Sequence, residues 1–165
     1  MTAGRRVGVL AAAVLPVCGC SSAASRDALS VQPVPQQVTV TEHTIGAFGV
    51  ALTDSTGRAL YMFPPDARQQ VTCTGPCAGT WPPMTIATGA TPKAGPGVSQ
   101  KLLGTLPDPN TGARVTTYNG FPLYRYAGDT TPGTANGQAL FLDGGPWYLL
   151  NPAGTPLTAG PAGAP

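Results

Sequence analysis

The stretch Gly57-Arg-Ala-Leu-Tyr-Met-Phe-Pro-Pro-Asp66 recurs without gaps, 63 residues further along, as Gly120-Phe-Pro-Leu-Tyr-Arg-Tyr-Ala-Gly-Asp129. Gly, Leu, Tyr, an aromatic residue and Asp repeat in register, and each copy runs on to a tryptophan, Trp81 in the first and Trp147 in the second. Two copies at this spacing indicate duplication into one pseudo-twofold domain rather than an open-ended solenoid.

Each copy has the pattern of a β-hairpin. In the first, alternating apolar residues lead into a turn at Asp54-Ser-Thr-Gly57. In the second, the turn is Asn119-Gly120, a strong short-range hairpin signal. A third hairpin turns at Asp143-Gly-Gly. Outside the N-terminal apolar run, the apolar residues do not recur with the 3.6-residue period of an amphipathic helix. We therefore expect an all-β domain of duplicated antiparallel hairpin units, with sandwich, barrel and propeller-like layouts left open.

The side chains of each return strand alternate between two faces. One face carries the aromatic residues, and the opposite face carries Met62 in the first copy and Arg125 in the second. The aromatic residues are Tyr61 with Phe63, and Tyr124 with Tyr126. Because arginine is rarely buried unpaired, we expect the aromatic face to point into the core and the Met62/Arg125 face to lie nearer solvent.

Asp66 and Asp129 follow the two strands and complete a Tyr-x-aromatic-x-x-Asp motif in each copy. Two interpretations fit the motif. In the first, the aromatics are core residues and each Asp accepts backbone N–H groups of a turn. In the second, the motifs are paired ligand sites with Trp81 and Trp147 among the aromatic platforms. Core-like alternation of the aromatics favours the first interpretation.

The N-terminus predicts a bacterial lipoprotein. Arg5 and Arg6 precede an apolar run over residues 7–17, which is too short to span a bilayer and suits a signal-peptide core. Cys20 follows a glycine, as in a lipobox, whereas Cys18 follows the bulky Val17. We expect a signal peptide over residues 1–19 and diacylglycerol on Cys20, with an ordinary secretory signal as the alternative. The protein is then anchored in the bacterial cell membrane by lipid, facing outside the cytoplasm.

Composition divides the rest of the chain. Residues 20–44 are poor in large apolar side chains and predict a flexible tether, and low-complexity residues 153–165 predict a disordered tail. The β domain is expected over residues 45–152, with repeats at about 45–83 and 101–151. Charged residues make up 10% of the chain, and its 22 Gly and 19 Pro exclude coiled-coil architectures. From residue 20 onward the formal charges cancel, so we expect no nucleic-acid partner.

The segment Cys73-Thr-Gly-Pro-Cys77 has the clearest potential in the domain for disulfide, redox or metal chemistry. In an oxidising compartment, two cysteines across a Gly-Pro turn most simply form a disulfide. The alternative is a redox or copper-handling pair, because thiolates suit Cu(I), with help from Met62, Met84 or His43. The βαβ scaffold of thioredoxin-like proteins is missing from the sequence pattern, which favours the disulfide and no cofactor.

Catalysis has little support in the sequence. His43 is the one histidine of the chain, and it lies at the expected junction of tether and domain, so a hydrolytic triad would depend on a weakly ordered residue. The aspartates have no spacing that indicates an acid–base pair, and neither a phosphate-binding loop nor a zinc-type cluster is evident. We expect a protein that is not an enzyme.

The doubled Tyr-x-aromatic-x-x-Asp motif, with Cys73, Cys77 and Trp81-Pro-Pro after its first copy, resembles the secreted-repeat lipoprotein family of bacteria. The resemblance covers roughly residues 45–152, with an unusual Pro64-Pro65 inside the first motif. It implies a surface lipoprotein of unknown biochemical activity. We expect a non-enzymatic binding or structural module of the cell envelope, in contact with the membrane through its lipid and with cell-wall or envelope components.

Overall fold

Strands dominate the part of the chain that the computed structural model describes, residues 37–67 and 69–158. These residues all fall in one unit of the chain, Val34–Pro165. In chain order the strands are β1 (Thr39–Ile45), β2 (Gly49–Asp54), β3 (Tyr61–Met62), β4 (Thr85–Ile86), β5 (Lys93–Ala94), β6 (Leu103–Pro107), β7 (Arg114–Tyr118), β8 (Phe121–Pro122), β9 (Phe141–Leu142), β10 (Gly145–Pro146) and β11 (Tyr148–Leu149). One short α-helix, α1 (Pro76–Thr80), and 3-10 turns at Gly46–Phe48, Pro64–Asp66 and Gln100–Leu102 interrupt them. The expected β class is confirmed, with little helix.

The strands form several small sheets. One sheet has the order β2-β1-β5, and a second has the order β4-β7-β6, with β8 also paired to β7. Two further pairs are β9 with β10 and β3 with β11. All pairs are antiparallel except β1 with β5. Within the described residues these sheets do not close into a barrel, so that layout is excluded.

The predicted hairpin turns are present. Asp54 N–H donates to the Arg58 carbonyl at 2.9 Å, and the chain returns from the first turn into β3. Asn119 and Gly120 both have positive φ, 50° and 82°, the geometry that a two-residue turn between β7 and β8 requires. The third turn joins β9 to β10 at Asp143 and Gly144. Turn chemistry therefore determines these three reversals.

The predicted boundary between tether and domain is wrong. Residues assigned to the end of the 20–44 tether form β1, which pairs with β2 from Val40 opposite Asp54 to Ile45 opposite Gly49. Val40 and Ile45 are buried, so this strand is anchored by its apolar residues as well as by its ladder. The remainder of the tether, the signal peptide and Cys20 lie outside the described residues.

The predicted tail begins too early. Leu150 bridges Pro156, Leu157 N–H donates to the Leu149 carbonyl at 2.8 Å, and Asn119 Nδ2 donates to the Gly154 carbonyl at 2.8 Å. Residues 153–158 are therefore part of the fold in spite of their simple composition, because hydrogen bonds to their backbone groups and the packing of Leu157 against buried hydrophobic side chains hold them. The tail residues after 158 fall beyond the described part.

Two groups of buried side chains form the core. We call the first the aromatic core; it contains Ile45, Ala51, Ala59, Tyr61, Phe63, Cys73, Cys77, Trp81, Tyr124, Trp147 and Leu149. We call the second the aliphatic core; it contains Val40, Leu52, Leu60, Met62, Met84, Tyr118, Leu123 and Leu150.

Both faces of the β3 region are consequently buried, which corrects one expectation. Met62 is 2% exposed in the aliphatic core, not near solvent. The aromatic face does point inward, as expected. Arg125 lies at the rim with 31% of its side chain exposed, and its Nε pairs with Asp54 Oδ2 at 2.7 Å.

Candidate functional site

The two sequence motifs meet at the centre of the domain. Tyr61 in β3 and Tyr124, just after β8, form an antiparallel bridge. The N–H of Tyr61 donates to the carbonyl of Tyr124 at 2.9 Å, and the N–H of Tyr124 donates to the carbonyl of Tyr61 at 3.0 Å. The repeats are thus joined directly at their motif tyrosines.

Each motif tyrosine donates its hydroxyl proton to the motif aspartate of the other repeat. Tyr61 Oη lies 2.6 Å from Asp129 Oδ2, and Tyr124 Oη lies 2.7 Å from Asp66 Oδ2. All four side chains are buried, and hydrogen bonds from neutral groups to a buried carboxylate are stronger than those between neutral groups. The sequence places these four residues in motifs but contains no signal that the pairs cross between repeats.

The second oxygen of each aspartate holds the loop that follows it. Asp66 Oδ1 accepts the backbone N–H of Thr72 at 2.9 Å and its hydroxyl at 2.6 Å. Asp129 Oδ1 accepts the N–H of Asn136 at 2.7 Å, and the Asp129 carbonyl accepts Arg58 Nη2 at 2.6 Å. The expected role of both aspartates as acceptors for turn N–H groups is confirmed.

Burial shifts the ionisation of these groups. Desolvation raises the pKa of Asp66, and hydrogen bonds from Thr72 and Tyr124 offset only part of that rise. Desolvation and then the Asp129 carboxylate raise the pKa of Tyr61 far above its usual range. Desolvation and then the Asp66 charge do the same to the pKa of Tyr124. Both phenols are therefore held as proton donors to the carboxylates, not as phenolates.

Four aromatic rings lie in a row beside the Tyr–Asp pairs; three of them stack face to face, and the fourth, Tyr126, is tilted by 33° against Trp81. We call this set the aromatic column; it runs Tyr126, Trp81, Trp147, Phe63, with ring centroids 4.4, 3.9 and 4.2 Å apart in that order. The two indole planes differ by only 3°. Repeats alternate along the column: the second-repeat Tyr126 covers the first-repeat Trp81, and the first-repeat Phe63 covers the second-repeat Trp147.

The motif tyrosines contact the column by their edges. Tyr61 meets Trp81 at 5.4 Å and 73°, and Tyr124 meets Trp147 at 5.2 Å and 89°. Such edge-to-face and offset pairs contribute about 0.5–1.5 kcal/mol each beyond the area they bury. Gly137 makes the first contact possible, since a Cβ there would lie 2.8 Å from the Trp81 ring and 3.0 Å from that of Tyr61.

The cysteine pair lies at the edge of the aromatic core. The sulfurs of Cys73 and Cys77 are 1.99 Å apart, a disulfide distance, and the bridge closes the turn into α1. Met62 and Met84, the expected helpers of a copper site, belong to the aliphatic core instead. Within the described residues, His, Cys, Asp and Glu side chains do not gather in groups of three or more that could hold a metal ion.

His43 is ordered, contrary to its expected place in a tether, because it lies within β1. Its Nδ1 is 2.8 Å from Thr53 Oγ1, and its side chain is exposed. It lines a surface cleft of about 400 Å³ together with residues from both repeats. The other lining residues are Thr44, Ser55, Thr56, Gly57, Pro132 and Gly133. We call this feature the polar cleft; sequence reasoning missed it because its walls come from distant turns.

One ion pair between the repeats was also missed. Asp54 accepts hydrogen bonds from Thr56 and Arg125, and although burial raises its pKa, these bonds outweigh that effect and lower it. The sequence did contain a signal for this pair: Arg125 occupies the strand position that Met62 has in the first copy, and an arginine there indicates an acidic partner.

Comparison with known proteins gives the family but no relative of known activity. A family model described as a secreted repeat of unknown function matches residues 43–85 and again residues 107–150. The chain therefore belongs to this secreted-repeat family, and the resemblance seen in the motifs is confirmed. Searches of curated proteins and of solved structures found no match. Among the described helices, none has the length and apolarity to cross a membrane.

Proposed function

We propose that this protein is a lipid-anchored, non-enzymatic module of the bacterial cell envelope that binds or supports other envelope components outside the cytoplasm. One observation carries the proposal: the motif residues bond to each other. Tyr61 and Asp129, like Tyr124 and Asp66, use their polar side-chain atoms inside the domain. Residues bonded in this way stabilise the fold, so the proposed envelope role depends on surface contacts and requires no cofactor.

The domain is a duplicated unit with an approximate twofold relation between its repeats. Support comes from equivalent residues in equivalent contacts. The Tyr–Asp pairs are reciprocal, and each end of the aromatic column consists of a tryptophan covered by the aromatic motif residue of the other repeat, Tyr126 at one end and Phe63 at the other. In this proposal, the approximate axis would pass between Trp81 and Trp147 and through the Tyr61–Tyr124 bridge. A ligand that contacts both repeats would bind near their shared surface, of which the polar cleft is one part.

The anchor is a diacylglycerol on Cys20. The membership in a secreted family supports export, and Gly19 before Cys20 supplies the small residue that lipobox processing needs. Metabolic labelling with an alkyne fatty acid tests the anchor, with Cys18→Ser as a matched control. Label lost in Cys20→Ser and kept in Cys18→Ser is the expected result. Label kept in Cys20→Ser would refute the assignment.

The binding role is tested with the mature domain immobilised on beads. Purified peptidoglycan and vesicles of total membrane lipid are the two probes, and His43→Ala in the polar cleft is compared with Lys101→Ala on the exposed surface. We expect one probe to be retained, with weaker retention by the His43 variant. If neither probe is retained by the wild-type domain, the binding role fails and only a structural role remains.

The cysteine pair acts as a disulfide that fixes the turn into α1. For a loop this short the chain-entropy estimate gives about 2 kcal/mol of stability. An intact-mass spectrum of the exported domain is expected to lie two hydrogen masses below the reduced value, with no adduct. Two free thiols or a retained copper ion would instead favour the redox and copper-handling alternative.

A further inference from the structure

The aromatic column has a feature that core packing alone does not require. Trp81 and Trp147 are both fully buried and stack in parallel at 3.9 Å, with a further ring on each outer face. Indoles and phenols are the side chains that lose a single electron most readily. Parallel rings in van der Waals contact let that electron pass from one π-system to the next.

We propose that the aromatic column and the two Tyr–Asp pairs form an electron-donating centre, through which the domain reduces small one-electron oxidants that reach its surface. This activity goes beyond the proposed envelope role and needs no metal. The step that carries it is a coupled transfer in which the oxidant takes an electron from the column and a tyrosine gives its proton to the paired aspartate.

Access to the centre is from one end. Tyr126 is half-buried and reaches solvent, whereas Trp81 beneath it is fully buried. At the opposite end Phe63 is covered by the backbone of Gly145, where a Cβ would approach the phenyl ring to 2.8 Å. An oxidant in solution therefore meets Tyr126 first, and the electron that it removes is replaced from Trp81.

Proton acceptors decide where the resulting radical rests. Trp81 Nε1 is buried and has no hydrogen-bond partner among the described residues, so none of their bases is placed to take the proton of an oxidised Trp81. Trp147 Nε1 donates only to the Leu142 carbonyl, a weak base, at 3.2 Å. The phenols of Tyr61 and Tyr124 do have carboxylate acceptors, at 2.6 and 2.7 Å. A phenol that loses an electron becomes a strong acid, so these two residues are the favoured end points.

The overall step is balanced in atoms and charge. A one-electron oxidant becomes its one-electron reduced form, the Tyr61 O–H bond breaks, and the proton adds to Asp129 Oδ2 to give a neutral carboxylic acid beside a neutral tyrosyl radical. Tyr124 and Asp66 perform the same step in the other half of the site. The proton moves only across the existing hydrogen bond, so neither pair creates a new buried charge.

Flash oxidation of the mature domain with photogenerated tris(bipyridine)ruthenium(III) tests the proposal. In the wild type we expect a transient tryptophan radical that decays into a tyrosyl radical. High-field EPR should then show a single narrow gx feature, because a carboxylic acid at one fixed position hydrogen-bonds to the radical oxygen. The decay should be slower in deuterated water.

The variants identify the residues. Tyr61→Phe/Tyr124→Phe is expected to lose the narrow feature, while Tyr118→Phe keeps it; Tyr118 is equally buried, but its hydroxyl donates to the Pro152 carbonyl. The proposal is overturned if the narrow feature survives in the double variant. It is equally overturned if the wild type gives only the broad signal of a tyrosyl radical that hydrogen-bonds to water. The wild-type spectrum decides the matter even where the double variant does not fold.

Discussion

Replacing Tyr61 by phenylalanine removes one oxygen atom from the centre of the domain. That hydroxyl donates to Asp129 Oδ2 at 2.6 Å and lies 3.3 Å from the N–H of Gly137, from which it accepts. The ring keeps its contact with Trp81, so no cavity of ring size forms. The variant therefore isolates the polar part of the interaction between the repeats.

The expected cost follows from the charge of the acceptor. Hydrogen bonds to charged groups contribute about 1.5–3 kcal/mol to stability, against about 0.5–1.5 kcal/mol for neutral pairs. Tyr118→Phe is the matched neutral case, because Tyr118 is equally buried and its hydroxyl donates to the Pro152 carbonyl at 2.7 Å. We expect Tyr61→Phe to lower the free energy of unfolding by about 1 kcal/mol more than Tyr118→Phe does.

Urea unfolding measures the difference, with tryptophan fluorescence as the signal because Trp81 and Trp147 are both fully buried. Combining Tyr61→Phe with Asp129→Asn completes a double-mutant cycle, in which directly bonded residues are expected to couple by about 0.5–3 kcal/mol. A Tyr118→Phe cost equal to or above that of Tyr61→Phe, together with a coupling near zero, would refute the charged cross-repeat bond as a source of stability.

Two further predictions concern charge and space. Burial raises the pKa of Asp66 above its ordinary value of 3.8. The stability that this group contributes is therefore lost as the pH rises from 3.8 through the raised pKa, and the loss of unfolding free energy in Asp66→Asn should shrink with rising pH. The pKa of Asp54 is lowered, so the loss of unfolding free energy in Asp54→Asn should instead grow as the pH rises. Urea unfolding of the two variants between about pH 3 and pH 6 measures both trends. Parallel pH profiles of the two variants would contradict the reasoning. Gly137→Ala should destabilise by about 1–3 kcal/mol through contact with the Trp81 and Tyr61 rings. Gly79→Ala, where a Cβ meets nothing within 4 Å, should be neutral or slightly stabilising. Thermal melting measures both variants, and equal melting temperatures would count against the packing argument.

Local signals predicted the hairpins well. The turn at Asn119-Gly120 needs positive φ at both residues, and the sequence supplies the two residue types that adopt it most easily. The aromatic face was also predictable, because the aromatic residues of each copy alternate with non-aromatic ones, and the arginine on the opposite face of the second copy indicates which face is buried. The disulfide distance between Cys73 and Cys77 agrees with the pairing that the compartment favoured.

Contacts between distant segments could not be predicted. β1 has the composition of a linker, and its order depends on six residue pairs with β2 and on β5, which approaches from a segment between the repeats. The buried position of Met62 depends likewise on aliphatic side chains that arrive from outside its hairpin. Sequence periodicity shows that a residue has a partner on its face but not which chain segment supplies it.

The same limit applies to the site. Tyr61 and Asp66 belong to one motif, whereas the Tyr61 hydroxyl bonds to Asp129 and Asp66 accepts from Tyr124. Reciprocal pairing and local pairing require the same residues in the same order. Only the three-dimensional arrangement distinguishes them.

The sheets impose one more property on the molecule. The turn at Gly89 is exposed and lies between β4 and β5, and three sheets combine strands from both sides of it: β1 and β2 with β5, β3 with β11, and β4 with β6 and β7. A protease cut at this turn would therefore leave two interleaved fragments, neither of which holds a complete core. The nicked molecule should migrate as a single non-covalent complex, and the two fragments, expressed separately, should fold only by complementation.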